Sequence, residues 1–321
     1  MNLLTPERVL AAVREVRVGR SFCLSLPLDF PGESVLNPRR FPPQIQFSMR
    51  GDDPVMGFPM SRVKPGQTDV ICDDRVTLST QYSTQWDSLA HIGALFDADG
   101  DGEPEVVYYN GYRATEHVRG PVDYLSGDRN IPPPYGAGPL GIDGLAETCI
   151  QGRGVMIDLH AHFGEEPRPI GYDDLRHVLD TDGVTVEEGD IICFRTGFDR
   201  VLLRHGRKPP EGASTRFCAG LDGSARRLLD WITQSGIAAI ASDTEGVEFL
   251  PPTRVPEGSG THIPLHEHCL FKLGIPLGEM FLLSDLADWL REAGRSRFLL
   301  TAPPLRLPGA VGSPVTPVAT V

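Results

Sequence analysis

The chain has six cysteines in 321 residues, Cys23, Cys72, Cys149, Cys193, Cys218 and Cys269, and no C-x-x-C pair among them. That spacing suggests neither a disulfide framework nor a zinc ribbon, and it fits a reducing compartment, so a cytoplasmic location is expected. No apolar run is long enough to cross a bilayer. The N-terminus carries Glu7, Arg8, Arg14 and Glu15 where a signal peptide needs an apolar stretch, so no leader is expected. An excess of basic residues is lacking too. Against 43 Asp and Glu stand 30 Lys and Arg, a net charge of -13, which disfavours nucleic acid and anionic membranes because phosphate-rich partners select basic surfaces. A small molecule is the expected partner.

What is present is an ordinary globular composition, 40% hydrophobic and 23% charged, in a chain long enough for one large domain or two smaller ones. Thr5 and Pro6 open a helix with Val9, Leu10, Val13 and Val16 on one stripe. Residues 20 to 70 are rich in Pro and Gly and read as extended pieces joined by turns. Arg75 to Thr80 alternates as a strand. Further on, Val155 to Leu159, Ile191 to Arg195 and Ile237 to Ala241 read as buried strands. Tyr172 to Leu179, Ser224 to Ser235 and a segment capped by Ser284 read as helices. Strands interleaved with helices give an α/β protein.

Between Leu78 and Gly93 the reading L-S-T-Q-Y-S-T-Q-W-D-S-L-A-H-I-G brings Gln81, Gln85, Asp87 and His91 within eleven residues. Asp87 can bind a hard cation, the glutamine carbonyls can add neutral oxygen ligands, and His91 titrates near neutrality. The plain alternative is a polar strand with His91 packed behind it. Asp97-Ala98-Asp99-Gly100-Asp101-Gly102 matches the first half of an EF-hand loop, but the twelfth position is Tyr108, so a solvated acidic turn is expected there. His160 and His162 form a rival metal pair at a strand end, with a surface location the plainer reading. Asp243 follows a buried strand at its carboxyl end, where α/β proteins place ligand-binding groups. Glu279 lies between the apolar runs Ile275 to Leu277 and Met280 to Leu283, and a buried acid there needs a partner.

The stretch Gln81-Tyr82-Ser83-Thr84-Gln85-Trp86-Asp87-Ser88-Leu89-Ala90-His91 resembles the signature His-x-Gly-Thr-His-x-Asp-x-x-x-His of the metal-dependent cyclase family, which includes bacterial kynurenine formamidases and isatin hydrolases. Thr84, Asp87 and His91 match; both metal-binding histidines of the signature are glutamine here. Tyr108-Tyr109-Asn110-Gly111, Gly152-Arg153-Gly154-Val155, Gly189-Asp190 with Arg195-Thr196-Gly197, Ser242-Asp243-Thr244 and Gly312-Ser313-Pro314 resemble further family segments in the same order. The resemblance implies the swivelling β/β/α fold, a mixed sheet with flanking helices, with residues 1–69 a helix and extended arm on a cyclase-like domain of residues 70–321. It implies a homo-oligomer, dimer or tetramer. It implies metal ligation by Gln81, Gln85, Asp87 and His266, with His268 the near alternative, and catalysis by His91 and Glu279. Trp86, Tyr108, Tyr109 and Asp243 are the expected substrate contacts.

Two functions follow. One is a metal-dependent hydrolase of an amide, imide or lactone with His91 as general acid/base. Amide oxygens in place of imidazoles make the site harder, which puts Mn2+ ahead of Zn2+ or Mg2+. The other is a metal-poor pocket used for binding, cyclisation or dehydration.

Overall fold

The computed structural model describes residues 2–254 and 260–321, and its organising element is a nine-stranded mixed sheet. In chain order the strands are β1 Ser21–Cys23, β2 Gln85–Asp87, β3 Gln151–Asp158, β4 Ile191–Arg195, β5 Ala239–Ser242, β6 Leu277–Glu279, β7 Arg297–Thr301, β8 Gly312–Pro314 and β9 Val318–Thr320. Their spatial order is β1-β9-β7-β3-β4-β5-β6-β2-β8. The four central strands β3 to β6 run parallel. Antiparallel strands flank them on both sides, β2 and β8 on one and β7, β9 and β1 on the other.

The parallel centre needs both faces covered, and the side chains divide accordingly. Val155, Ile157, Ile192, Phe194 and Ile240 point to one face, where they meet Val178 of the helix α2 (Tyr172–Thr181). Residues 198–205 form α3 (Phe198–His205), and α4 (Arg226–Ser235) brings Leu228 and Ile232 to that same face. Leu265 and Leu270 arrive from a short helix, Pro264–His266, that widens into π-helical turns over Glu267–Leu273. On the opposite face Met156, Ile191, Cys193, Ala239 and Ala241 meet Leu286 and Leu290 of α5 (Ser284–Glu292). The crossover helices α2 and α4 therefore lie on one face, while α3 packs with Leu26, Phe30 and Met280.

The helix α1 (Pro6–Val13) starts as its sequence indicates, with Thr5 Oγ1 accepting from the Arg8 amide at 3.4 Å. It packs against β3 and buries Ala12, while Leu10 and Val13 of the expected stripe stay exposed. The Ser284 cap is different from expectation. Ser284 is the first residue of α5, and Asp199 of α3 supplies the cap: its Oδ2 accepts from the amides of Leu283 and Ser284 at 2.9 and 2.8 Å. A carboxylate from another helix has replaced the local hydroxyl, which donates to Asp199 Oδ1 at 2.6 Å.

Residues 44–77 form a ribbon beside the sheet, in which Gln44–Phe47 pairs antiparallel with Asp74–Thr77. Among the described residues no helix is long and apolar enough to cross a membrane.

Candidate metal centre

In the β2–β6 ladder Asp87 lies opposite Leu277, Trp86 opposite Gly278 and Gln85 opposite Glu279. Side chains alternate along a strand, so Gln85, Asp87 and Glu279 share one face and Trp86 takes the other. Gly278 makes that possible: a Cβ there would stand 2.8 Å from both the Trp86 ring and Phe281. His266 reaches the same face as the carboxylates from the helical turns before β6. Its Nε2 lies 3.2 Å from Glu279 Oε1 and 3.9 Å from Asp87 Oδ2. Its Nδ1 lies 2.6 Å from Glu248 Oε1. Glu248 is locked in turn, accepting from the His266 amide at 3.1 Å and the Leu265 amide at 3.0 Å.

The two glutamines differ in what they do. Gln85 Nε2 donates to Glu279 Oε2 at 2.8 Å and to Asp87 Oδ1 at 3.4 Å. Gln81 stands off the strand, with Oε1 accepting from Thr80 Oγ1 at 2.8 Å and Nε2 3.3 Å from His91 Nδ1. His91 Nε2 is 3.9 Å from Asp87 Oδ2. Arg40, from the Pro/Gly-rich stretch before the ribbon, covers the group; its Nη1 donates to the Gln81 carbonyl at 2.8 Å and lies 3.9 Å from Glu279 Oε2. Thr84 anchors the motif, donating to the Met280 carbonyl at 2.6 Å and accepting from the Leu26 amide at 2.9 Å. A small cavity that shares Arg40 and Gln81 with the group is lined also by Leu36, Asn37, Glu245 and Met280.

Burial and the nearby Glu279 charge push the Asp87 carboxyl well above the usual range. Burial works equally against charge on Glu279, but its hydrogen bond to His266 and the charges of His266 and Arg40 hold it below. Burial opposes charge on His266 also, yet the hydrogen bonds to Glu248 and Glu279 carry it up to about 10. His91 moves the other way, to about 4, through burial and repulsion from His266. Glu245 is raised to about 7 by burial and Glu279.

A divalent cation fits these residues. Asp87, His266 and Glu279 each offer a ligand atom within 4.8 Å of the others. Asp87 Oδ2 and Gln85 Oε1 are buried acceptors with no donor, an arrangement that costs stability unless a cation, a proton or water answers it. The Glu248 contact at Nδ1 leaves His266 Nε2 facing the carboxylates, the orientation a metal-binding imidazole takes.

Other expected site residues lie apart. Trp86 is fully buried against Phe281, its Nε1 donating to the Ala302 carbonyl at 2.8 Å, so it packs the core and does not face the acids. Asp243 turns to the end of β4, where Oδ1 accepts from the Thr196 amide and hydroxyl at 2.8 and 2.7 Å and Oδ2 from the Gly197 amide at 2.7 Å. It braces two strand ends. Tyr109 lies on Gly274 and borders a cavity of about 300 Å3 with Leu89, Leu140 and Ile275, outside the acid cluster. Tyr108 packs beside Ala90, Ala137 and Leu140. His268 Nε2 bonds to Thr233 Oγ1 and the Leu229 carbonyl, which leaves the position facing the acids to His266. His162 pairs with Asp182 at 3.0 Å and His160 lies against Gly197, so the two rings serve different neighbours. Asp97, Asp99 and Glu105 do converge, but turn amides and Arg113 occupy their oxygens.

Glu248 and Arg40 were not singled out from the sequence. Glu248 had a signal: it follows Val247 and precedes Phe249-Leu250, an acid among apolar residues like Glu279. Arg40 had none.

A large mixed sheet carrying a buried two-acid, one-histidine cluster defines an α/β protein with a candidate metal centre. Residues 24–249 match the family described as "Putative cyclase", and the chain belongs to that family. It is similar to a crystal structure of a novel cyclase, with 30% identity over 100% of this chain and 92% of that one and a TM-score of 0.73. The fold is shared with isatin hydrolase A from Labrenzia aggregata, bound to benzyl benzoate, at 14% identity, 94% and 93% coverage and a TM-score of 0.58. A predicted metal-dependent hydrolase from Bacillus stearothermophilus is similar at 16% identity, 94% and 98% coverage and a TM-score of 0.50. No curated protein matches the sequence.

Proposed function

We propose that this protein is a metal-dependent hydrolase that opens an amide, cyclic imide or lactone bond of a small molecule at the Asp87–His266–Glu279 cluster. The observation that carries the reading is the pair of buried acceptors without donors, Asp87 Oδ2 and Gln85 Oε1, beside a histidine turned by Glu248 toward two carboxylates. The hydrolase names of two fold neighbours support the reaction class. When bound, a divalent cation supplies Lewis acidity, polarising a carbonyl and acidifying water. Asp87, Glu279 and His266 would hold it, with Gln85 able to add its amide oxygen. One nitrogen among oxygen donors suits Mn2+ ahead of Zn2+ or Mg2+. His91 stands on the Asp87 side as the group that holds a proton beside the reacting carbonyl. Arg40 covers Glu279 and helps exclude water. Elemental analysis of protein purified without chelator, followed by assay on a panel of amides and lactones, tests the reading. A stoichiometric divalent ion and turnover of one panel member are expected; absence of both overturns it.

The metal-poor alternative draws on one contact. Gln85 Nε2 already bonds to Glu279 and Asp87, so the amide and His266 together partly neutralise the acids without a cation. A site of that kind would serve binding, cyclisation or dehydration, and the same elemental analysis separates the two.

Self-association belongs to the proposal as well. Ile45, Phe47, Met49, Val70 and Val76 are exposed on and around the ribbon, and two-stranded ribbons are marginal alone in water. Light scattering on the purified protein is expected to give a dimer or tetramer.

A further inference from the structure

The cluster is closed off from solvent: Asp87 is 0% exposed, Glu279 3% and His266 4%. The cavity that shares Arg40 and Gln81 with the group holds about 10 Å3, room for one water at most and not for an amide or a lactone. Any small molecule that reaches these side chains therefore needs part of their cover to move. Strands β2, β6 and β8 are tied into the sheet by main-chain ladders. Residues 31–40, which bring Arg40 over Glu279, are tied differently. Among the described residues their main chain shares no backbone–backbone hydrogen bond with another segment; the Arg40 amide donates to the Asn37 carbonyl at 3.0 Å and the Arg39 amide to Asn37 Oδ1 at 3.1 Å, both within the segment. Two side-chain bonds hold it down, Tyr82 Oη donating to the Glu33 carbonyl at 2.8 Å and Arg40 Nη1 to the Gln81 carbonyl at 2.8 Å. Both end on adjacent residues of the motif.

The ends of the segment are fixed. Phe30 is buried, Asp29 Oδ2 lies 2.5 Å from Arg207 Nε, and a Cβ on Gly32, whose φ is 86°, would stand 2.2 Å from the Arg207 carbonyl oxygen. At the other end the Phe41 amide donates to Ser79 Oγ at 3.1 Å. We propose that residues 31–40 are a strap that gates the cluster, hinged at Gly32 and Phe41, fastened at Gln81 and Tyr82, and opened to admit the small molecule. A segment with fixed ends and few ties between them opens at a free energy well below that of global unfolding. Closed, the strap keeps bulk water from the acids; open, it uncovers Glu279. The gate is required whether or not the cluster holds a cation, so it stands apart from the hydrolase reading.

Thiol labelling tests it. Met280 is 2% exposed and lines the small cavity with Leu36 and Arg40, so Met280→Cys puts a reactive group beneath the strap. Iodoacetamide, itself a small amide, is the probe, and peptide mass analysis follows the introduced thiol separately from the native cysteines. Labelling is expected to be slower than at an exposed thiol and nearly independent of urea below the unfolding transition. Adding Tyr82→Phe, which removes one fastening and leaves the cluster's side chains in place, should quicken it roughly tenfold. In the chain that keeps Met280, trypsin cleavage after Arg39, measured against the unfolded chain, should rise by a similar factor in Tyr82→Phe. That second measurement decides the matter if Met280→Cys does not fold. Labelling as fast as at an exposed thiol, labelling that appears only with global unfolding, or rates of labelling and cleavage unaltered by Tyr82→Phe would each overturn the gate. Failure of the hydrolase reading would show instead as absence of metal and of turnover, with both rates unaffected.

Discussion

Gln85 and Glu279 face each other across the β2–β6 ladder, and the amide nitrogen of one lies 2.8 Å from the carboxylate of the other. The pairing places a neutral amide where the family signature carries a histidine, beside the acid that also contacts His266. Both readings of the cluster turn on that exchange: an amide oxygen would make a metal site harder than imidazole does, and the amide nitrogen already contacts the two acids.

Asp87→Ala removes the most buried anionic oxygen of the cluster and should abolish binding of any divalent ion, measured by calorimetry on folded protein. Gln85→His should raise zinc affinity, because borderline metals prefer imidazole nitrogen to an amide oxygen. Metal binding by Asp87→Ala equal to that of the parent would place the ion elsewhere.

His91 is partly exposed and touches the cluster only through Gln81 and the Asp87 side. His91→Ala should fold, keep its metal and lose on the order of 10² to 10⁴ in rate on any substrate that turns over. Near-normal turnover would make His91 a packing residue.

Trp86 separates a core role from a substrate role. Trp86→Phe leaves the Ala302 carbonyl without its donor and thins the contact with Phe281, so a loss of roughly 1–3 kcal/mol in stability is expected by chemical denaturation. KM should stay unchanged. A raised KM with intact stability would return Trp86 to the pocket.

Asp243 gives the fold a pH dependence of definite sign. Burial and the neighbouring Asp199 push its carboxyl up to about 7, against 3.8 for an ordinary aspartate. The folded state thus binds the extra proton, and the stability this group contributes is present below the unfolded value and lost as pH rises through about 7. Melting temperatures from pH 4 to 8 should fall more steeply for the parent than for Asp243→Asn. Equal slopes would mean the carboxyl is already ionised in the folded protein.

The ordered segments from Gly152 to Gly197 and the strand through Ala241 were legible because buried parallel strands are continuous apolar runs. The helices α2 and α4 were legible from their stripes, and Glu279 from the cost of burying an acid among apolar neighbours. Trp86 was expected at the substrate, but its place in the strand turns it away from Gln85 and Asp87 and into the core. Asp243 fell at a strand's carboxyl end, but sequence position does not say whether such a group faces a ligand or the next strand's turn. The amide orientations of Gln81 and Gln85, and the reach of Arg40, depend on contacts between segments far apart in the chain, which no local pattern encodes.

The strand bearing the motif is held on one side by β6 and on the other by β8, and its glutamine meets a glutamate 194 positions later. During synthesis the motif therefore emerges long before either neighbour exists. Until residues 277–279 and 312–314 leave the ribosome, Asp87 has no sheet to lie in and no second acid beside it. The cluster is thus one of the last features of the nascent chain to form, so capture of the proposed cation would be coupled to completion of the fold.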